Sequence, residues 1–136
     1  MATILDIANS QKSLSILMKS IKVAGLEEEL NGLGPFTIFA PVNLAFSRMD
    51  PGVFEEMIKP ANKQRLTEIL NYHIVLGKSL SGDLSNGQKL KTINGQELLV
   101  TLQNNEVYIN NGKMLSCNMR GTNGVLHTVD AVNIAQ

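Results

Sequence analysis

The sequence predicts an α+β fold, with helices mainly in the first half and antiparallel strands in the second. Three observations carry that prediction. Before Gly77, apolar residues recur at helical spacing: Leu14, Leu17, Met18 and Ile21 stand at i, i+3, i+4 and i+7. After Gly77 the period falls toward two, as in Leu98-Leu99-Val100-Thr101-Leu102, and Asn-Gly pairs beginning at Asn86, Asn94, Asn111 and Asn123 punctuate the chain like hairpin turns. Strands and helices do not alternate, and no glycine-rich phosphate loop occurs, which argues against a doubly wound nucleotide-binding architecture.

Each element follows from local chemistry. The first amphipathic helix has Ser10 or Ser13 to cap its start and Gly25 to end it in the left-handed conformation. A helical turn over Leu26 to Leu30 stops at Asn31-Gly32. Phe36 to Ala40 is short, apolar and rich in aromatic and β-branched residues, bracketed by Gly34-Pro35 and Pro41, and reads as a buried central strand. Asn43 can cap the short helix that carries Leu44 and Phe46. Asp50-Pro51 is a good helix start, with Val53, Phe54, Met57 and Ile58 pointing inward until Pro60 interrupts. The next helix carries Leu66, Ile69, Leu70 and His73 on one stripe. Strands are expected at Lys89 to Ile93, Glu97 to Leu102, Val107 to Ile109, Met114 to Met119, Val125 to Val129 and Val132 to Ile134, with another turn at Asn104-Asn105. The last two are too apolar for sheet edges.

Length and composition narrow the function classes. A chain of 136 residues is expected to form a single domain, 1–136, with room for a sufficient core. Twelve acids balance twelve bases, so no charge excess steers the chain toward nucleic acid or an anionic membrane. Tryptophan is absent and aromatics make up only 4%, which leaves little for stacking bases or sugars. Cys117 is the single cysteine, so an intramolecular disulfide is impossible. No signal peptide is evident in Met1 to Ile7, and no apolar run has the length of a membrane span.

The reactive side chains do not assemble into a catalytic pattern. His73 and His127 are the only histidines, and no serine stands on a nucleophile turn. Cys117, between Leu115 and Met119, reads as a buried small hydrophobe. Two histidines and one distant cysteine match no zinc spacing, and Asp83 to Gly87 lacks the ligands of a calcium loop. Glu27-Glu28-Glu29 reads as a solvated helix face. The expectation is no catalytic residue, no metal and no cofactor.

Three segments in fixed order add a further reading: Phe36-Thr37-Ile38-Phe39-Ala40-Pro41-Val42-Asn43-Leu44-Ala45-Phe46, then Leu70-Asn71-Tyr72-His73-Ile74-Val75, then Asn123-Gly124-Val125-Leu126-His127-Thr128-Val129-Asp130-Ala131-Val132. Together they resemble the two signature boxes and the central tyrosine-histidine motif of the fasciclin domain, in particular its stand-alone microbial forms. The chain departs from the family's habit at Val42, Leu44 and Leu76. The resemblance implies a compact wedge of two small β-sheets with helices packed along one edge, in which Phe36 to Ala40 pairs with Val125 to Val129. It also implies a non-enzymatic adhesion or binding module at a cell surface or in extracellular matrix. Its partners would be a protein, a polysaccharide or the chain itself, without nucleic acid or membrane insertion and with the chain a monomer. A cytoplasmic location is the alternative. Tyr72, His73, Ile74 and Val75 map to the family's receptor-binding motif. The same histidine also reads as a core residue, one of a structural polar cluster of Thr37, Asn43, His73 and His127. A different class of function, a small-molecule-binding or enzymatic domain, would require a pocket near Tyr72, His73 and Asn43.

Overall fold

Residues 3–132, apart from 31, 33, 50, 51, 78, 79, 111, 117 and 118, are described by a computed structural model. The chain opens with α1 (Ile4–Asn9), α2 (Ser15–Ala24) and α3 (Glu27–Leu30), then lays down β1 (Phe36–Pro41). Three more helices, α4 (Asn43–Ser47), α5 (Val53–Met57) and α6 (Lys63–Asn71), lead into β2 (Ile74–Leu76). The second half supplies β3 (Lys89–Lys91), β4 (Glu97–Gln103), β5 (Glu106–Ile109), β6 (Gly112–Lys113), β7 (Met119–Gly121) and β8 (Gly124–Val129). The expected α+β division therefore holds.

Two four-stranded sheets form, in the orders β2-β1-β8-β7 and β3-β4-β5-β6. The second is the antiparallel meander that the turns predict. In the first, β1 and β8 are neighbours as expected, but they run parallel, from Phe36 opposite Gly124 to Pro41 opposite Val129. Every residue of both strands is buried, because each face of this sheet meets a different core. Phe36, Ile38, Ala40 and Leu126 join the helices. Phe39 and Val129 join Leu90, Leu98, Val100 and Ile109 of the second sheet. Alternate side chains feed opposite faces, so a strand buried on both sides reads as an unbroken apolar run. Isolated bridges between Val75 and Thr92 and between Met114 and Val129 stitch the sheets together.

The helices form for identifiable local reasons. In α2, Leu17, Met18 and Ile21 are buried, and Gly25 ends the helix at φ 74°, its N–H bonded to the carbonyls of Ile21 and Lys22. Its start differs from expectation. Neither Ser10 nor Ser13 caps it; a turn of 3₁₀-helix over Lys12–Leu14 leads in, and Asn43 supplies the cap from another element. α1, a helix that the periodicity did not reveal, rests on a reciprocal cap between Thr3 and Asp6. Gly52, at φ 85°, precedes α5; the expected Asp50-Pro51 start lies outside the described residues.

Several strand expectations are corrected. Met114 to Met119 is not one strand: Met114 makes a single bridge, Leu115 and Ser116 keep backbone bonds to Thr128 although Leu115 is 50% exposed, and β7 begins at Met119. Cys117 lies outside the described residues. Val132 is not in a strand, and 133–134 are also outside. The Asn-Gly pairs do not adopt two positive φ angles. At Gly87 and Gly95 only the glycine is left-handed, whereas Asn104-Asn105 has both, at φ 54° and 66°, and closes the β4–β5 hairpin. Gly124 has another purpose. A Cβ there would lie 2.0 Å from the Phe36 carbonyl oxygen, so its bareness is what lets β8 approach β1.

Candidate functional site

The tyrosine-histidine segment begins where α6 ends. Leu66, Ile69 and Leu70 bury one stripe of the helix, and Tyr72 is its C-cap, its N–H bonded to the Glu68 carbonyl at 3.0 Å. The chain then turns into β2, which pairs antiparallel with β1. This path carries all four motif side chains inside: Tyr72 is 7% exposed, His73 2%, Ile74 3% and Val75 5%. Ile74 packs with the helices, while Tyr72 and Val75 pack between the sheets. A partner approaching the folded chain meets almost nothing of these side chains.

Their polar atoms are engaged within the protein. The Tyr72 hydroxyl donates to the Glu97 carbonyl at 3.0 Å and accepts from Asn110 Nδ2 at 2.9 Å. Asn110 in turn accepts from the Leu99 N–H, so the ring ties the end of α6 to the second sheet. His73 Nδ1 lies 2.8 Å from the Ile69 carbonyl oxygen. A carbonyl can only accept, which assigns the proton to Nδ1 of a neutral ring. Burial drives the imidazole pKa from 6.5 down to about 4, against the weaker upward pull of the Ile69 carbonyl.

The other polar candidates divide. Thr37 Oγ1 donates to the Gly77 carbonyl at 2.8 Å. His127 is fully buried and stacks on Phe39 with ring centroids 5.5 Å apart. The Phe39 N–H donates to the His73 carbonyl at 2.9 Å. Thr37 lies on β1 itself, and His73 and His127 both meet Phe39 of that strand. Asn43 has a different task and does not cap its own helix. Its Oδ1 accepts from the Ile16 N–H at 2.9 Å, and its Nδ2 donates to the Lys12 carbonyl and Ser15 Oγ at 3.1 and 2.9 Å, fixing the start of α2.

Sequence reasoning missed Asn123 as a structural node. Buried at 6% exposure, it accepts from the Ile4 N–H at 3.0 Å and donates to the carbonyls of Leu30 and Gly32 at 2.8 and 3.0 Å. Reading Asn123-Gly124 as a hairpin turn hid that side chain. Also missed was a patch on the outer face of the second sheet. There Glu106 accepts from Tyr108 at 3.0 Å and pairs with Lys113 at 2.9 Å. Those contacts hold the Glu106 carboxyl below its usual range and raise Tyr108 and Lys113.

Three surface grooves lined by described residues lie away from Tyr72 and His73. One, of about 550 Å³, is bordered by Val53, Glu56, Met57 and Arg65; a second, of about 470 Å³, runs along α2; a third, of about 410 Å³, lies by Leu84, Leu102 and Val107. Among the described residues no group of three or more His, Cys, Asp or Glu converges as a metal site. No helix among them is long and apolar enough to cross a membrane.

This arrangement defines a class of protein, and the chain belongs to the fasciclin domain family, whose model matches residues 12–134. Among particular relatives, it is 35% identical to Protein sll1483 of Synechocystis sp., over 96% of this chain and 72% of that one. It is 33% identical to the transforming growth factor-beta-induced protein ig-h3 of Sus scrofa, over 97% of this chain and 19% of that one. The solved FAS1 domain pair from the insect cell adhesion molecule fasciclin I superposes with a TM-score of 0.87 at 18% identity. The match covers 98% of this chain and about half, 51%, of that pair.

Proposed function

We propose that the chain is an adhesion or binding module that acts without chemical turnover, outside the cell, through contacts with a surface protein, a polysaccharide or a second copy of itself. The observation that carries this reading is membership of the fasciclin family over residues 12–134, a family with a solved member from a cell adhesion molecule. The burial of Tyr72, His73, Ile74 and Val75 supports a role for those residues in holding the fold. Contact with a partner then falls to the outer surface.

The test is direct binding of the purified chain to immobilised copies of itself and to extracellular surface material, alongside sedimentation over a range of concentrations. Saturable binding in the micromolar range supports the reading. Signal no greater than that of a charge-matched control protein would overturn it.

A further inference from the structure

We propose that the groove along α2 is a binding site for an anionic polysaccharide, an inference that rests on the adhesive reading and names the class of its partner. The groove, of about 470 Å³, is bordered by Asn9, Gln11, Lys12, Ser15, Lys19 and Lys22. Ala8 and Met18, both buried, form its floor. The whole chain balances twelve acids with twelve bases, yet the groove gathers three lysines and no carboxylate. All three lysines are exposed. None of them forms an ion pair among the described residues, where the salt bridges use Arg48, Lys59, Arg65 and Lys113.

The row has the geometry of a linear ligand. Ser15, Lys19 and Lys22 fall at i, i+4 and i+7 on one face of α2, and Lys12 stands on the 3₁₀ turn that leads into it. At the rise of an α-helix the stretch from Ser15 to Lys22 is about 10 Å long, with Lys12 beyond its start. Its beginning is held in place, because Asn43 bonds the Lys12 carbonyl, Ser15 Oγ and the Ile16 N–H. Spaced ammonium groups suit carboxylates or sulfates repeated along a chain, and the Asn9 and Gln11 amides suit the hydroxyls between them.

Other polyanions fit less well. No aromatic residue borders the groove to stack a base, and the balanced charge offers no long-range pull on nucleic acid. An anionic bilayer is held by basic clusters of roughly four to eight residues, more than this row provides.

The experiment measures binding of the whole chain to dextran sulfate, alginate, neutral dextran and phosphatidylserine vesicles. Wild type is compared with a combined Lys12→Gln, Lys19→Gln, Lys22→Gln variant, and with a combined Lys63→Gln, Lys89→Gln, Lys91→Gln variant of the same net charge. Equal urea midpoints establish that all three are folded. The expected result is salt-sensitive binding to the two anionic polymers, about tenfold weaker in the groove variant and less than about threefold weaker in the other. Equal loss in both variants, undiminished binding by the groove variant, equal binding of neutral dextran, or preference for vesicles would each overturn the proposal. The two readings fail separately. Surface material bound equally by wild type and groove variant removes the groove and leaves adhesion standing. Lysine-dependent polymer binding without any binding to surface material supports the groove and removes the adhesive role.

Discussion

Replacing His73 with Asn should flatten part of the acid sensitivity of this domain, by an amount that follows from the burial of the ring. The imidazole has a pKa of about 4 when folded, against 6.5 when solvated. Above pH 6.5 it is neutral in both states and contributes no pH dependence. Between 6.5 and 4 the unfolded chain takes up a proton that the folded chain refuses, so stability falls as pH falls. Below 4 both states are protonated and the slope vanishes. At about 1.4 kcal/mol per pH unit, this group alone removes about 2 kcal/mol of stability by pH 5 and about 3 kcal/mol by pH 4. In the His73→Asn variant the side-chain amide can still donate toward Ile69, but nothing titrates. The variant should be less stable than wild type by about 1–3 kcal/mol at pH 8, through lost packing. Urea unfolding followed by circular dichroism, from pH 8 to pH 4.5, compares the two. Carboxylates and His127 act in both proteins, so the difference isolates position 73. The gap should shrink by about 2 kcal/mol between pH 8 and pH 5. A gap that stays constant over that range would show that the ring is not held neutral by burial.

Three destabilising substitutions and one neutral control follow from the geometry. Tyr72→Phe removes the hydroxyl that joins Glu97 and Asn110 and should cost about 1–2 kcal/mol in urea unfolding, without altering helix content. Asn43→Ala removes the cap that α2 borrows from α4 and should cost about 1–2 kcal/mol, with protection from hydrogen exchange lost first around Ser15 and Ile16. Gly124→Ala forces a Cβ against the Phe36 carbonyl oxygen. It should cost more than about 3 kcal/mol, lowering Tm by about 10 °C, while Gly82→Ala, with open space around it, should change stability by less than about 0.5 kcal/mol.

The sequence marked β1 and β8 as interior strands through their uniform apolarity, and the family resemblance of their segments paired them. It did not reveal that they run parallel, since periodicity has no direction. The meander was legible from its turns, although the backbone angles were not, because asparagine and glycine each suit several conformations. α2 was readable from its buried stripe and from Gly25. Its cap was not, because the capping side chain stands 27 residues away. Met114 to Met119 looked like one strand because apolar residues dominate it, but Leu115 is half exposed beside the single bridge at Met114. α1 did carry a signal in Thr3 and Asp6, but Met1 to Ile7 were read only for targeting. For the site, sequence identified the segment that ends α6 and offered both a core and a binding reading of His73, and the choice between them depends on β2 docking against β1. The lysine row had a readable spacing, but its freedom from carboxylates depends on the three-dimensional arrangement.

The residues that reveal the family are largely buried, for a physical reason. Phe36 to Ala40 and Gly124 to Val129 pair across a separation of nearly ninety positions, Asn123 ties α1 to that closure, and Tyr72 ties the end of α6 to the second sheet. Side chains with such tasks are committed to internal packing and hydrogen bonds, and their replacement costs folding before it costs binding. A resemblance carried by them transfers the architecture. The identity of the partner has to be written in exposed positions that the closure does not constrain. Lys12, Lys19 and Lys22 meet that condition: all three are exposed, Lys19 and Lys22 on a helix whose opposite face is already spent on the core and Lys12 on the 3₁₀ turn before it, so the row can change its charge without disturbing the fold that presents it.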